Sequence, residues 1–138
     1  MDAQIAVDPL LPGLVVLCHG RFHTKHRGPM AVIEALLPFS TLSFDARGMG
    51  ESEGTTGYSN VQVSLVCVLL SKTDGMRKEE VDDLAVILKH VRLHYPNNTL
   101  LALIGHSKGA VVLLTLASQQ SIPCKLVRHV TFSVFLLD

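Results

Sequence analysis

Leu100 to Ser118, LLALIGHSKGAVVLLTLAS, is the stretch on which the reading of the whole chain turns. Leu100 to Ile104 is an apolar run suited to a buried strand, Gly-His-Ser-Lys-Gly interrupts it, and Ala110 to Ser118 is apolar enough for a helix packed against a sheet. Gly105 to Gly109 therefore satisfies G-x-S-x-G between a strand and a helix. A serine lifted on so sharp a turn has strained backbone angles and little room beside it, so the positions two before and two after must be small. Gly105 and Gly109 fill them. A helix starting there aims backbone N–H groups at the place where an attacked carbonyl oxygen would become negative, and the Lys108 N–H is the first candidate donor. Glycine and serine each make up about 7% of ordinary chains, so a random chain of this length carries the pentad at roughly one in twenty. The strand–turn–helix setting carries more of the argument than the pattern does. The competing reading is a glycine-tolerant turn whose serine merely caps the helix.

Working outward, Leu14 to Cys18 (LVVLC) is a branched apolar run opened by Pro12-Gly13 and closed by His19-Gly20, as expected of a buried parallel strand. From Pro29 to Leu37 the residues Met30, Ile33, Leu36 and Leu37 recur at helical spacing, with Pro29 in the first turn and Pro38 as a stop. Thr41 to Phe44 (TLSF) reads as a second strand, ending in a tight loop where Gly48 and Gly50 permit unusual backbone angles. Glu79 to His94 gives the strongest helical signal: Val81, Leu84, Ala85, Leu88 and Val91 share a face, with acidic residues early and basic ones late, matching the helix dipole. After Pro123, Leu126 to Leu137 suits a fourth strand. Strands alternating with helices at this spacing imply an α/β class with a mainly parallel sheet flanked by helices.

Composition narrows the function classes. The chain has 138 residues, which predicts a single domain over 1–138, and its 48% hydrophobic and 17% charged content is globular. Twelve Lys plus Arg balance twelve Asp plus Glu, so no net field steers it toward nucleic acid or an anionic membrane. Cys18, Cys67 and Cys124 are odd in number and form no CxxC pair, against a disulfide framework or a thiolate zinc site. The amino-terminal residues lack the charge pattern of a targeting peptide, and the longest apolar run, Val61 to Leu70, is ten residues where a spanning helix needs about 20. A cytoplasmic protein without a membrane span is expected.

A second donor for the developing negative charge should come from the loop after a neighbouring strand, and His19-Gly20-Arg21-Phe22 sits there, making the Arg21 N–H the candidate. The plain alternative is that His19-Gly20 only ends a strand. Taken together, LVVLCHG (Leu14 to Gly20), FDARGMGESEG (Phe44 to Gly54), MRKEEVDDL (Met76 to Leu84) and LIGHSKGAVVLLTLAS (Leu103 to Ser118) resemble the α/β-hydrolase superfamily. Within it they are most similar to the serine aminopeptidase-like and monoacylglycerol-lipase-like branch. The resemblance implies Ser107 as nucleophile, the N–H groups of Arg21 and Lys108 as the oxyanion hole, and Asp45 to Ser52 as a structural loop.

Against that pattern, the general base and its orienting carboxylate, which follow the serine in the order acid then histidine, have no clear counterpart. After Ser107 the chain offers only His129 and Asp138, in the reverse order. His106 adjoins the serine and should point elsewhere, so a packing role is expected for it. His19, His23 and His26 are interleaved with Arg21, Lys25 and Arg27, which suggests a solvated basic loop and no metal site. No cofactor is expected. Residues 61–75 read as an insertion relative to the family, whose C-terminal strands and lid are also absent, so a truncated or alternatively spliced form is expected. An exposed sheet edge in such a form should promote self-association. Two functions follow. One is a serine hydrolase acting on small acyl esters, lipids or short peptides. The other is a catalytically incomplete fragment or isoform serving as a binding or interaction module. A nucleotide-binding module is a distant third, because neither GxGxxG nor GxxxxGK[ST] occurs.

Overall fold

The computed structural model of the chain describes residues 3–6, 13–20, 23–53 and 76–122. Strands β1 (Ala3–Ala6), β2 (Gly13–Cys18), β3 (Ser40–Phe44) and β4 (Thr99–Gly105) form one sheet in the order β1-β3-β2-β4. β2 pairs in parallel with β3 on one side and β4 on the other, and β1 adds an antiparallel edge to β3. Three helices accompany them: α1 (Pro29–Leu36), α2 (Met76–His94) and α3 (Lys108–Gln119).

The strand periodicity sorts side chains to two faces. Leu14, Val16 and Cys18 of β2, with Leu42 and Phe44 of β3, pack against Val81, Leu84, Leu88 and Val91 of α2 and Val112, Leu113 and Leu116 of α3. Val15 and Leu17 point the other way, toward Met30 and Ile33 at α1. A strand covered on both faces is apolar at every position, which is why LVVLC reads as an unbroken run. β3 differs. Its outward hydroxyls, Thr41 Oγ1 and Ser43 Oγ, donate to the Glu34 carboxylate of α1 at 3.0 and 3.3 Å, so TLSF alternates apolar and polar. Each fully buried Leu or Val contributes about 1.5–3 kcal/mol relative to exposure, so the face shared by α2 and α3 supplies most of the cohesion.

All the expected elements within the described residues form, with ends displaced by at most three residues. The amino-terminal strand Ala3–Ala6 was not expected, because four residues carry too little pattern to register. No helix of the described residues is long and apolar enough to cross a membrane. The expected insertion at 61–75 and the strand at Leu126 to Leu137 lie outside the described residues.

Candidate functional site

Three parallel strands end at the same edge of the sheet, and each delivers one loop there. β4 delivers the turn at Ser107, β2 delivers His19-Gly20, and β3 delivers Asp45 to Ser52. Because the register sets Cys18 beside both Phe44 and Gly105, the three loops leave the sheet at one level.

Ser107 has φ 52° and ψ −116° and is the one non-glycine residue with positive φ among those described. It stands at the cap position of α3, is exposed, and makes no side-chain capping hydrogen bond, which removes the plain helix-cap reading. Neighbouring main chain explains the flanking glycines. A Cβ on Gly105 would lie 2.6 Å from the Ala110 nitrogen, and one on Gly109 would collide with the Cys18 carbonyl. Gly20 closes against the elbow from the other side, where a Cβ would come within 3.1 Å of the Ser107 Cβ. Lys108 is the first residue of α3, so its N–H belongs to the unpaired amide set at the helix start. Arg21, expected to supply the second N–H, lies outside the described residues, but its neighbour Gly20 touches the elbow.

The histidines occupy other posts. His19 Nδ1 donates to the Gly20 carbonyl at 2.8 Å, and Nε2 accepts from the Ala46 N–H at 2.9 Å. Accepting there requires the neutral ring, and burial lowers the His19 pKa in agreement, although the Gly20 carbonyl and Asp45, 3.8 Å away, pull it up. The contact with Asp45 is thus no ion pair. His106 is buried beneath the elbow against Gly20, as expected of a packing residue, with both ring nitrogens unpartnered. Its ring lies 5.5 Å from that of His23, and burial followed by His23 lowers its pKa. His90 and His94 stack on each other at the end of α2. His129 and Asp138 lie outside the described residues. No group of three His, Cys, Asp or Glu able to hold a metal occurs among the described residues.

The basic loop is solvated at His26 and Arg27, as the sequence suggested, but not at Lys25. Lys25 is buried, its N–H donates to Asp45 Oδ1 at 2.7 Å, and its ammonium reaches Asp45 Oδ2 at 3.2 Å and Glu51 Oε2 at 2.6 Å. The sequence shows no acid near Lys25; the β2–β3 register brings two. Burial alone would raise the Asp45 carboxyl, but the Lys25 and Glu51 N–H groups and the Lys25 ammonium outweigh it and hold it below the usual range. Ser52 Oγ donates back to the Asp45 carbonyl at 2.6 Å, closing the loop in which Gly48 and Gly50 take positive φ. α2 holds the same edge from outside. Arg47 forks onto Asp83 at 2.8 and 3.1 Å, and Lys108 bonds Glu80.

A parallel strand running into a strained, exposed serine at the head of a helix is the arrangement of the α/β-hydrolase class. The family described as alpha/beta hydrolase fold matches residues 13–134, and the chain belongs to it. A serine hydrolase homologue from Coxiella burnetii is similar at TM-score 0.60 and 21% identity, over 86% of this chain and 52% of that one. An esterase of Pyrococcus furiosus is similar at TM-score 0.57 and 27% identity, over 83% of this chain and 41% of its own. An alpha/beta hydrolase from Sphaerobacter thermophilus is similar at TM-score 0.55 and 25% identity, over 89% of this chain and 37% of its own. This chain therefore spans about half the length of these structures or less. A comparison with curated protein sequences gives no match.

Proposed function

We propose that Ser107 is the nucleophile of a serine hydrolase that cleaves small acyl compounds in the cytoplasm, through a covalent acyl-enzyme. The observation that carries this reading is the strained φ of 52° at an exposed serine heading α3. Such strain persists only where surrounding structure over-determines it, and clusters at sites where it serves a mechanism. Ser107 Oγ would attack the carbonyl carbon, and the N–H groups of Lys108 and Arg21 would hold the resulting oxyanion. The packing of Gly20 on Ser107 supports the pairing of those donors. Esters, lipids or short peptides are the substrate class, with the serine aminopeptidase-like or monoacylglycerol-lipase-like branch as the finer assignment. The esterase of Pyrococcus furiosus supports the ester end of that range.

A second reading has its own observation. His19 is bonded at both ring nitrogens and His106 is buried beneath the elbow, which supports a site to which these two supply no base. Removing the base from a serine protease costs on the order of 10⁶ in turnover, the remainder coming from the oxyanion hole and binding. Without a base the chain would be a binding or interaction module on a hydrolase scaffold. Labelling with a serine-directed fluorophosphonate separates the two. Labelling lost in Ser107→Ala supports the nucleophile; no Ser107-dependent labelling leaves the module.

A further inference from the structure

Lys108 follows the proposed nucleophile directly, and its ammonium is bonded to Glu80, a carboxylate only 11% exposed on α2, the helix packed against α3. The Lys108 side chain is 34% exposed, so solvent and ligand reach it from the open side. A lysine held by one contact on a flexible four-carbon stem swings free when that contact is lost. Arg47, another cation at this edge, is likewise occupied by Asp83 and Glu79 on the same helix. Lys25 is consumed by Asp45 and Glu51. Lys25, Arg47 and Lys108 are thus each matched to a carboxylate, whereas Arg27 on the β2 loop is exposed with no carboxylate partner among the described residues; the cation next to Ser107 in the chain, Lys108, is a matched one.

We propose that Glu80 is a specificity-determining residue: by holding the Lys108 ammonium against α2 it withholds positive charge from Ser107 and sets the site for uncharged acyl compounds. The proposal rests on Ser107 being the nucleophile. A carboxylate or phosphate on the substrate would otherwise be drawn to a lysine beside the attacked carbonyl. With Glu80 in place that attraction is neutralised at its source.

The test compares two fluorophosphonates on the full chain, one with a plain alkyl chain and one ending in a carboxylate. The quantity read is the ratio of their Ser107 labelling rates, so differences in the amount of folded protein cancel within each preparation. Glu80→Gln should raise the ratio of anionic to neutral labelling about threefold at low salt, with the gain fading as salt is added. Lys108→Met in the Glu80→Gln background should remove the gain. Lys108→Met alone leaves the Glu80 carboxylate uncompensated and should lower the ratio by a similar factor, which keeps the test decisive if Glu80→Gln fails to fold. Unchanged ratios in variants that still label at Ser107 would overturn the role of Glu80 and leave the nucleophile standing. Absence of Ser107-dependent labelling by either probe in the unaltered chain would overturn both.

Discussion

At the scale of single residues, the elbow sets stability against chemistry. A strained non-glycine φ costs roughly 1–3 kcal/mol, and glycine relieves it at an entropic cost of about 0.5–1 kcal/mol. Ser107→Gly should therefore be more stable than Ser107→Ala by about 1 kcal/mol in urea unfolding; equal midpoints would deny the strain. Gly109→Ala drives a Cβ into the Cys18 carbonyl and should lose about 2–3 kcal/mol in the same measurement. Asp45 governs acid behaviour. Its folded pKa lies below its unfolded value, so the unfolded chain binds the proton first as pH falls. The stability it contributes is complete above the usual carboxylate range and drains away as pH drops through the lower folded value. His19 and His106, also lowered, act in the same sense one window higher, below the usual imidazole range. His106→Phe should flatten the fall in melting temperature over that upper window, and Asp45→Asn the fall over the lower one. Asp45→Asn should also cost about 3 kcal/mol at neutral pH, because it strips a buried ammonium of one partner.

At the scale of elements, the face of α2 packed on the sheet and on α3 is where cohesion is concentrated. Leu84 is fully buried there, and Leu84→Ala should lose about 3 kcal/mol by chemical denaturation, whereas the exposed Val86→Ala should change stability by less than about 0.5 kcal/mol. These elements were legible because their cause is local: LVVLC is apolar throughout when both faces are covered, and Val81, Leu84, Leu88 and Val91 repeat at the helical period. What escaped the sequence depends on register. Lys25 reads as a solvated cation until β2 and β3 align, and only then do Asp45 and Glu51 reach it. The strand Ala3–Ala6 is recognisable only from its antiparallel partner, since Ala-Gln-Ile-Ala has almost no pattern of its own. The elbow was legible from its glycines, whose need is steric and immediate. The side-chain route of Lys108 to Glu80 was not, because nothing in either segment encodes the packing of α2 on α3.

At the scale of the whole molecule, β2 sits between its parallel neighbours, while β4 is the outer strand of the described sheet and its apolar Leu101, Ala102 and Ile104 are only half-buried. Amide exchange combined with light scattering reads this edge: protected β4 amides at the mass of one chain show the strand paired within the molecule, and protection that appears only at a higher mass shows pairing between copies.

The packing of Gly109 on the Cys18 carbonyl and of Gly20 on the Ser107 Cβ has an evolutionary corollary. These contacts seat main chain against the elbow and hold α3 to the sheet, so selection for folding alone preserves them. A lineage released from turnover would keep its glycines and its bend long after the proton-transfer partners had drifted. Surveys that count enzymes by this pentad will therefore include retired ones, and the surer mark of a working member is the imidazole that must meet the hydroxyl.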